Sequence, residues 1–311
     1  MANDCQSRAQ GILLGLACGD ALGRPVEFQG PDRIERTHGR VTEMLAHGTH
    51  GQPAGTITDD TEMALCIARS LAEHGAFEPE DIATRFIDWK RSGPFDIGIM
   101  TSSALQRIQN GESWDEAGQR EWEASTEGSN AGNGSLMRCA PYAIAYQDEP
   151  VELVDISRQS SAITHADPRC QWSCALFNQT LANLLIDVDQ PLERVLDDIG
   201  SELPDDVRNA VEPVTAARRG EPVDISLENS GYVVTTLQAG LYHGLTAETA
   251  EDAIVDAVMM GGDTDTIGAV AGAVAGARFG EGTLPERWLT DIDEIDELRQ
   301  LAFDLIELRS N

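Results

Sequence analysis

Lysine is almost absent from this sequence of 311 residues, because Lys90 is the only lysine among 22 basic side chains. Acidic side chains number 53, so the formal net charge is -31. A binding surface for nucleic acid or for an anionic membrane needs clustered basic side chains, and no segment supplies them. We therefore expect neither nucleic acid nor a membrane among the partners.

The acidity does not indicate disorder, since hydrophobic residues make up 41% of the chain, which is ordinary for a globular protein. A lysine-poor, acid-rich composition with a normal apolar share is typical of halophilic proteins. At about 1 M salt, repulsion between surface charges is screened within roughly 3 Å. We expect adaptation to high salt; an acidic protein from an ordinary cytosol is the alternative.

Metal-binding cysteine pairs and membrane-length apolar runs are also missing. The six cysteines form no CxxC pair and share no spacing with histidines, which predicts reduced thiols and no structural zinc. Residues 11–19 are apolar, but charged residues stand on both sides and no cleavage site follows. The apolar run after residue 265 is too short to cross a bilayer. We expect a soluble cytoplasmic protein.

Helical periodicity dominates the chain, and the alternation typical of strands is nearly absent. The pattern predicts an all-α fold, a single compact orthogonal helical domain over residues 1–311. A division near residues 220–230 is the alternative. The predicted helices are 61–75, 79–93, 97–109, 114–123, 152–163, 168–186, 192–199, 205–219, 232–243, 249–260, 266–278 and 292–308.

Two segments carry glycine at every fourth position, which on a helix produces a stripe without side chains. Each glycine costs a helix about 1 kcal/mol relative to alanine, so the pattern suggests a steric requirement. We predict that the two segments are helices that pack closely in the centre of the fold. The glycines are Gly11, Gly15 and Gly19 in one segment and Gly268, Gly272, Gly276 and Gly280 in the other.

Acidic residues cluster at two predicted helix N-termini, in TDDT at 58–61 and in GGDTDT at 261–266. Capping alone would account for one aspartate or threonine at each start. Two aspartates in each segment exceed that need, and their burial without compensation is costly. Oxygen ligands of this kind suit Mg²⁺ or Mn²⁺, and the two clusters could hold a pair of ions. The hypothesis is a central two-metal site at helix N-termini.

Two further segments carry chemistry. Asp20 and Glu27 flank a Gly-Arg-Pro turn. The segment AGNGSLMR at 131–138 has glycines whose amides could point outward, before a helical pattern that begins at Ser135. Such a loop could hold a phosphate. An ordinary turn before a helix is the alternative reading of the second segment.

The ordered set of these motifs resembles the ADP-ribosylglycohydrolase family, including the dinitrogenase reductase-activating glycohydrolase. The matching segments are GLACGDALGRPVEF, TDDTEM, GPFDIGIMTSSAL, GNGSLMR, THAD and GGDTDTIGAVAGA, which run in that order from residue 11 to about residue 280. TDDT and GGDTDT are the most specific of them. The resemblance implies an all-helical fold with a two-metal centre that takes magnesium or manganese.

The resemblance also implies roles for individual residues. Glu27 and Asp96 correspond to candidate catalytic acids. Glu27 also corresponds to a glutamate that approaches the metals and can act as a gate by changing position when substrate binds. Asp20 corresponds to an acid farther from them, although a role in the turn is open. The implied metal ligands are Thr58, Asp59, Asp60, Asp263, Asp265 and Thr266. The implied substrate-binding residues are Asp20, Gly132, Asn133, Gly134, Ser135, Met137 and His165.

The implied reaction is hydrolysis of the glycosidic bond that joins ADP-ribose to an acceptor, either an ADP-ribosylated protein or a small ADP-ribose derivative. An arginine-type linkage is favoured over a serine-type one by the FDIGIMTS segment. Two alternatives are a non-catalytic protein that binds ADP-ribose or a nucleotide and a metal-dependent nucleotide hydrolase. We expect a monomer.

Overall fold

Helices supply the regular structure of the computed structural model, which describes residues 2–126, 128 and 130–308. Within those ranges no strand occurs, only isolated bridges between His47 and Gln52 and between Gly132 and Tyr232. The predicted all-α fold is therefore confirmed. The α-helices are α1 (Ala2–Gly23), α2 (Pro31–His38), α3 (Asp59–His74), α4 (Pro79–Ser92), α5 (Ile99–Gln109), α6 (Trp114–Ala124), α7 (Pro141–Ala145), α8 (Pro150–Ala162), α9 (Pro168–Leu185), α10 (Pro191–Ile199), α11 (Asp205–Arg218), α12 (Val233–Thr246), α13 (Ala250–Val258), α14 (Thr264–Phe279), α15 (Glu286–Leu289) and α16 (Ile295–Glu307). Short 3₁₀ turns cover Arg24–Val26, Gly48–His50 and Glu281–Thr283.

The two glycine-rich helices, α1 and α14, run antiparallel through the centre of the fold with their backbones in direct contact. A β-carbon on Gly15 would lie 2.1 Å from the carbonyl oxygen of Gly272. One on Gly19 would lie 1.9 Å from the carbonyl oxygen of Gly268. No side chain fits at such separations, so the predicted central pairing is confirmed with its steric reason.

The fourth glycine of the second stripe continues the close approach, since a β-carbon on Gly280 would lie 2.7 Å from the Oγ of Ser7 in α1, and it also has a second role. Gly280 lies beyond the end of α14 with a φ of 79°, a conformation that glycine adopts readily. Its position at the far end of the pair is therefore that of a helix terminator. At the opposite end, Gly23 packs against the backbone of Thr264, where a β-carbon would lie 2.1 Å from the carbonyl oxygen.

Capping explains where several helices begin and end. Thr58 caps α3, and its side-chain oxygen accepts a hydrogen bond from the Asp60 amide at 3.4 Å. The helix ends at Gly75, which has a φ of 69°. Prolines occupy the first turns of α4, α8, α9 and α10, where a missing N–H removes no intrahelical bond. The predicted ranges of these five helices agree with the structure to within two residues.

Several parts of the helix pattern differ from the prediction. Helix α2 was not predicted, because Ile34 is the one buried residue among its eight, so no apolar spacing repeats. The helical pattern expected from Ser135 is a series of turns, since the amides of Leu136 and Met137 both donate to the carbonyl of Asn133. The short helices α7 and α15 were not predicted either, since neither exceeds five residues, and the last predicted helix, 292–308, corresponds to α16 alone.

The stretch between α11 and α12, residues 219–232, does not divide the chain. Its Tyr232 bridges to Gly132, and the side-chain amide of Asn229 donates to the carbonyl of Gly261 at 2.6 Å. The stretch is thus bonded both to the loop that contains Gly132 and to the loop that contains Gly261. The described residues form one compact domain, and the alternative of two domains is not supported.

All six cysteines are free thiols in the structure, and five of them are buried. The cysteines therefore act as small core residues, as the absence of pairs in the sequence predicts.

No helix among the described residues has both the length and the apolar character that a membrane span requires.

Candidate functional site

The N-termini of α3 and α14 meet at the end of the central helix pair. Asp263 is the N-cap of α14, and Thr58 is that of α3. The Oδ2 of Asp60 lies 3.3 Å from the Oγ1 of Thr266 and 3.4 Å from the Oγ1 of Thr58. Two acidic clusters more than 200 residues apart in sequence therefore share one site.

A cavity of about 380 Å³ opens beside these helix starts. Eleven of the fifteen site residues expected from sequence line it, which brings the acids and the glycine loop to one place. They are Glu27, Asp59, Asp96, Gly132, Asn133, Gly134, Met137, His165, Asp263, Asp265 and Thr266. The other lining residues are Phe28, Ile97, Gly98, Ile99, Met100 and Thr101.

The other four expected residues lie outside the cavity lining. Thr58 and Asp60 are fully buried behind Thr266. Ser135 is also buried, and its side-chain oxygen accepts a hydrogen bond from Ser161 at 2.8 Å. The fourth is Asp20, and its contacts show a different role.

Asp20 holds the start of α3 in place. Its carboxylate accepts hydrogen bonds from the Thr58 amide at 3.0 Å, from the Thr58 hydroxyl at 2.9 Å and from the Thr61 amide at 3.1 Å. Burial raises the pKa of Asp20 to about 6, although the hydrogen bonds from both threonines oppose that rise. With its oxygens turned toward α3, Asp20 positions the acidic cluster and does not face the cavity.

Five carboxyl groups of the site resist ionisation, because they are removed from water and lie near other acids. Burial, with the nearby charges of Asp96 and Asp263, raises the pKa of Glu27 to about 9. Burial and the charge of Asp96 raise the pKa of Asp59 to about 8. The pKa values of Asp60, Asp265 and Asp96 are also raised, with burial as the largest cause in each.

The donor set fits a hard divalent cation. The Oδ1 of Asp60 is buried and has no hydrogen-bond partner among the described residues, which is costly for a carboxylate oxygen. One oxygen each from Glu27, Asp263 and Asp265 lies within 4.8 Å of the others. Oxygen-rich, anionic surroundings with an orphaned buried oxygen are what Mg²⁺ or Mn²⁺ would satisfy. The acids of this site could therefore hold a metal.

The glycine loop forms a part of the cavity wall that adjoins Asp263. The side-chain amide of Asn133 donates to Asp263 at 2.7 Å and to the Thr236 hydroxyl at 3.1 Å, so the loop is fastened to the acidic wall. A β-carbon on Gly134 would lie 2.9 Å from the ring of His165. The absence of that side chain lets the imidazole approach the loop backbone.

His165 is a neutral side chain in this wall. Burial and the nearby positive charge of Arg138 lower its pKa to about 3. Its Nδ1 lies 2.8 Å from the Thr164 hydroxyl, which itself accepts a hydrogen bond from Arg138 at 2.7 Å. That hydroxyl has its hydrogen free for Nδ1, which favours the tautomer with a proton on Nε2. On the cavity side, His165 then presents a donor.

His50 is a site residue that the sequence analysis missed. Its Nε2 hydrogen-bonds the Oε2 of Glu27 and lies 3.5 Å from the Oδ2 of Asp96. The loop that carries it is held by Arg24, whose buried guanidinium donates to the carbonyls of Thr56, His47, Leu45 and Pro53. No periodicity or motif in GTHGQPAG marks His50, because its partners are distant in sequence.

Comparison with known proteins agrees with this geometry. The family model described as ADP-ribosylglycohydrolase matches residues 1–311. The ADP-ribosyl-[dinitrogen reductase] glycohydrolase of Rhodospirillum rubrum is 32% identical over 289 residues, which cover 92% of this chain and 90% of that protein. The ADP-ribosylarginine hydrolase Tri1 of Pseudomonas putida (strain GB-1) is 33% identical over 318 residues, which cover 96% of this chain and 78% of that protein.

A solved structure titled "ADP-ribosylglycohydrolase-related protein complex" superimposes with a TM-score of 0.82 at 33% identity. The match covers 98% of this chain and 99% of that one. Sequence, fold and the composition of the cavity therefore lead to the same assignment. This chain belongs to the ADP-ribosylglycohydrolase family.

Proposed function

We propose that this protein is a divalent-metal-dependent hydrolase that releases ADP-ribose from an arginine-linked acceptor. The observation that carries the proposal is the meeting of five carboxyl groups with the loop of residues 132–134 in one cavity. Relatives named for hydrolysis of ADP-ribosylarginine and of ADP-ribosylated dinitrogen reductase support the reaction and the linkage.

The proposed cofactor is a pair of Mg²⁺ or Mn²⁺ ions at the starts of α3 and α14. When bound, the ions would supply positive charge that binds sugar oxygens and offsets charge that develops as the glycosidic bond breaks. The proposed ligands are Thr58, Asp59, Asp60, Asp263, Asp265 and Thr266. The orphaned Oδ1 of Asp60 supports this set, because it has no other partner among the described residues.

The part of the wall formed by the glycine loop would bind the diphosphate. Gly132 and Gly134 leave the loop backbone open, and the neutral His165 adds a donor without a charge. None of the described residues that line the cavity is lysine or arginine. An anionic substrate therefore depends on backbone donors and on bound cations in a protein whose net charge is -31.

Glu27 and Asp96 would move the protons. Their raised pKa values allow one carboxyl to hold a proton near neutral pH, as a general acid requires. In the proposed step, water adds to the anomeric carbon while the bond from that carbon to the guanidine nitrogen breaks. One carboxyl donates a proton to the leaving nitrogen, and the other group accepts the proton that water loses. The products are ADP-ribose and the free arginine side chain.

The setting proposed for this activity is a high-salt cytoplasm, with the enzyme as a monomer. The single lysine and the excess of acids over bases support the high-salt part of the proposal. Assays at low ionic strength would then underestimate the activity, because repulsion among surface charges destabilises the folded state.

The test follows the release of ADP-ribose by chromatography, in high salt with Mg²⁺ or Mn²⁺. Arginine-linked and serine-linked ADP-ribosyl peptides are offered in parallel, with chelated enzyme and Asp263→Ala as controls. We expect metal-dependent release from the arginine-linked peptide that the variant loses. Binding of ADP-ribose without cleavage of either peptide would instead indicate a non-catalytic protein. Hydrolysis of free nucleotides alone would indicate a nucleotide hydrolase.

A further inference from the structure

Large apolar side chains are displayed around the mouth of the cavity. Ile99 is 85% exposed and Phe28 is 72% exposed, and both line the opening. Phe95 is 38% exposed and packs on the ring of His50, with 5.4 Å between the ring centroids. The ring of Phe28 lies 6.3 Å from the same imidazole. We call Phe28, Phe95 and Ile99 the apolar rim.

The clustering of the rim is not expected for a surface without a function. Among the described residues, six large hydrophobic side chains are exposed, and three of the six belong to the rim. Apolar side chains scattered singly on a surface need no explanation, whereas a group of them beside a binding cavity is typical of a contact surface.

Phe28 is also held in a strained backbone conformation. Its φ is 62°, in the left-handed region that bulky residues seldom adopt. The amide of Phe28 donates to the carbonyl of Gly262 at 2.7 Å, and the amide of Gly262 donates to the carbonyl of Gln29 at 2.8 Å. These hydrogen bonds fix the backbone while most of the ring is exposed to solvent. Burial of the ring therefore offsets little of the strain. Strain that is retained at a binding site suggests a role in binding.

The charge just inside the rim limits what can lie against it. Glu27, Asp96 and Asp263 line the cavity, and no basic side chain stands among the described lining residues. The rim therefore combines apolar contacts with an interior lined by carboxyl groups, whose oxygens can accept hydrogen bonds from a guanidinium on an apolar segment. A small ADP-ribose derivative would leave most of the rim uncovered.

We propose that the apolar rim binds the acceptor polypeptide on either side of the modified arginine, so that this enzyme acts on ADP-ribosylated protein in preference to free ADP-ribosylarginine. The proposal rests on the proposed function, since it assigns the acceptor side of the same cavity. The occupant is an extended segment with apolar residues next to the arginine. Its apolar side chains lie against Phe28 and Ile99, and its guanidinium faces the carboxyl groups.

The test compares two substrates on three proteins. The substrates are free ADP-ribosylarginine and a peptide with ADP-ribosylarginine between apolar residues. The proteins are the wild type, the double variant Phe28→Asn with Ile99→Ser, and the control Val151→Ser. Asparagine tolerates a positive φ, so the turn is kept, and serine suits the first turn of α5. Val151 is 79% exposed in the first turn of α8 and does not line the cavity.

We expect the double variant to lose about tenfold in kcat/KM on the peptide through a higher KM, which is the effect of about 1.4 kcal/mol of lost contact. Its loss on free ADP-ribosylarginine should be clearly smaller than its loss on the peptide, and the control should match wild type on both substrates. An equal loss on both substrates, or no loss on the peptide, would overturn the proposal.

Failure of the proposed function gives a different result. If the wild type cleaves neither substrate, calorimetry with Mg²⁺ still measures binding of the peptide and of ADP-ribose to the same three proteins. Weaker binding of the peptide alone by the double variant would support the rim as an acceptor surface without hydrolysis. Equal peptide affinities in the three proteins would reject it.

Discussion

The Oδ2 of Asp60 lies 3.3 Å from the Oγ1 of Thr266, and this contact joins two helix N-termini that are 206 residues apart in sequence. The other oxygen of the Asp60 carboxylate is buried without a hydrogen-bond partner among the described residues. The starts of α3 and α14 therefore gather carboxyl groups where water does not stabilise their ionised form. Bound cations would turn this unfavourable arrangement into a stabilising one.

We predict that divalent cations stabilise the protein and that Asp60→Asn loses most of this effect. At a concentration about 100 times the dissociation constant, one bound ion adds about 2.7 kcal/mol to the free energy of unfolding. Without metal, the variant should be at least as stable as the wild type, because a buried amide avoids the cost of ionising a buried carboxyl group. The measurement is thermal unfolding with chelator and with Mn²⁺. Asp88→Asn is the matched control, since the Asp88 side chain is 65% exposed. Equal metal responses in Asp60→Asn and wild type would contradict the prediction.

We also predict that the metal-free protein loses stability as the pH rises. In the folded state the pKa is about 9 for Glu27 and about 8 for Asp59, whereas the ordinary values are 4.5 and 3.8. Between these limits the folded state binds more protons than the unfolded state, so the free energy of unfolding falls by up to about 1.4 kcal/mol per pH unit for each group. The stabilising contribution is complete below the ordinary values and lost above about pH 9.

Urea denaturation of chelated protein between about pH 5 and about pH 9 measures this slope. Glu27→Gln should flatten it, because the amide does not titrate. Mg²⁺ should also flatten it, since a cation favours the ionised carboxylates in the folded state. A free energy of unfolding that stays constant or rises over this interval would show that the site acids are ionised without metal.

His50 should matter for turnover through the two acids that it contacts. Replacement by leucine removes the contact with Glu27 and leaves Glu27 and Asp96 to repel each other. We predict that His50→Leu lowers kcat by about tenfold to a hundredfold with little change in KM, and that His50→Gln, which keeps an N–H donor, recovers most of the loss. The assay is steady-state release of ADP-ribose. His38→Leu, at the exposed end of α2, is the control. If both His50 variants equal the wild type, His50 does not position these acids.

The close packing of helix α1 against helix α14 can be tested by adding a single methyl group. In Gly15→Ala the new methyl group would lie 2.1 Å from the carbonyl oxygen of Gly272, so α1 and α14 must separate. We predict a loss of about 1–3 kcal/mol or more, although alanine favours a helix by about 1 kcal/mol. Gly282→Ala, where nothing lies within 4 Å of the added carbon, should be neutral. Urea denaturation measures both, and similar stabilities would contradict the close approach of the two backbones.

Local patterns in the sequence predict most of the helices, because the spacing of apolar residues and the capping of helix ends depend on neighbouring residues. The start of α3 at Thr58, the proline starts and the glycine stripes all belong to this class. Gly280 shows what a local pattern leaves out. Its spacing continues the stripe and Ser7 of α1 does approach it, but only the backbone angle shows that it also ends the helix.

Site residues that belong to a sequence motif could be predicted from the sequence, and those outside any motif could not. TDDT and GGDTDT indicated that two helix starts carry more acid than capping needs, and the structure brings those starts together. His50 was missed because it meets Glu27 only after Arg24 has fixed the intervening loop. Asp20 was expected near the substrate, yet its hydrogen bonds run to α3, and spacing alone does not reveal that direction.

The central claim is that cations held by the acids at the starts of α3 and α14 are required for release of ADP-ribose. The most direct measurement titrates Mn²⁺ into chelated protein and records bound metal and the rate of release from an arginine-linked ADP-ribosyl peptide on the same samples. We predict no release without metal, a rate that rises with occupancy, and little of either in Asp265→Asn. Release at an undiminished rate by the chelated protein, or no release by the fully loaded protein, would contradict the account.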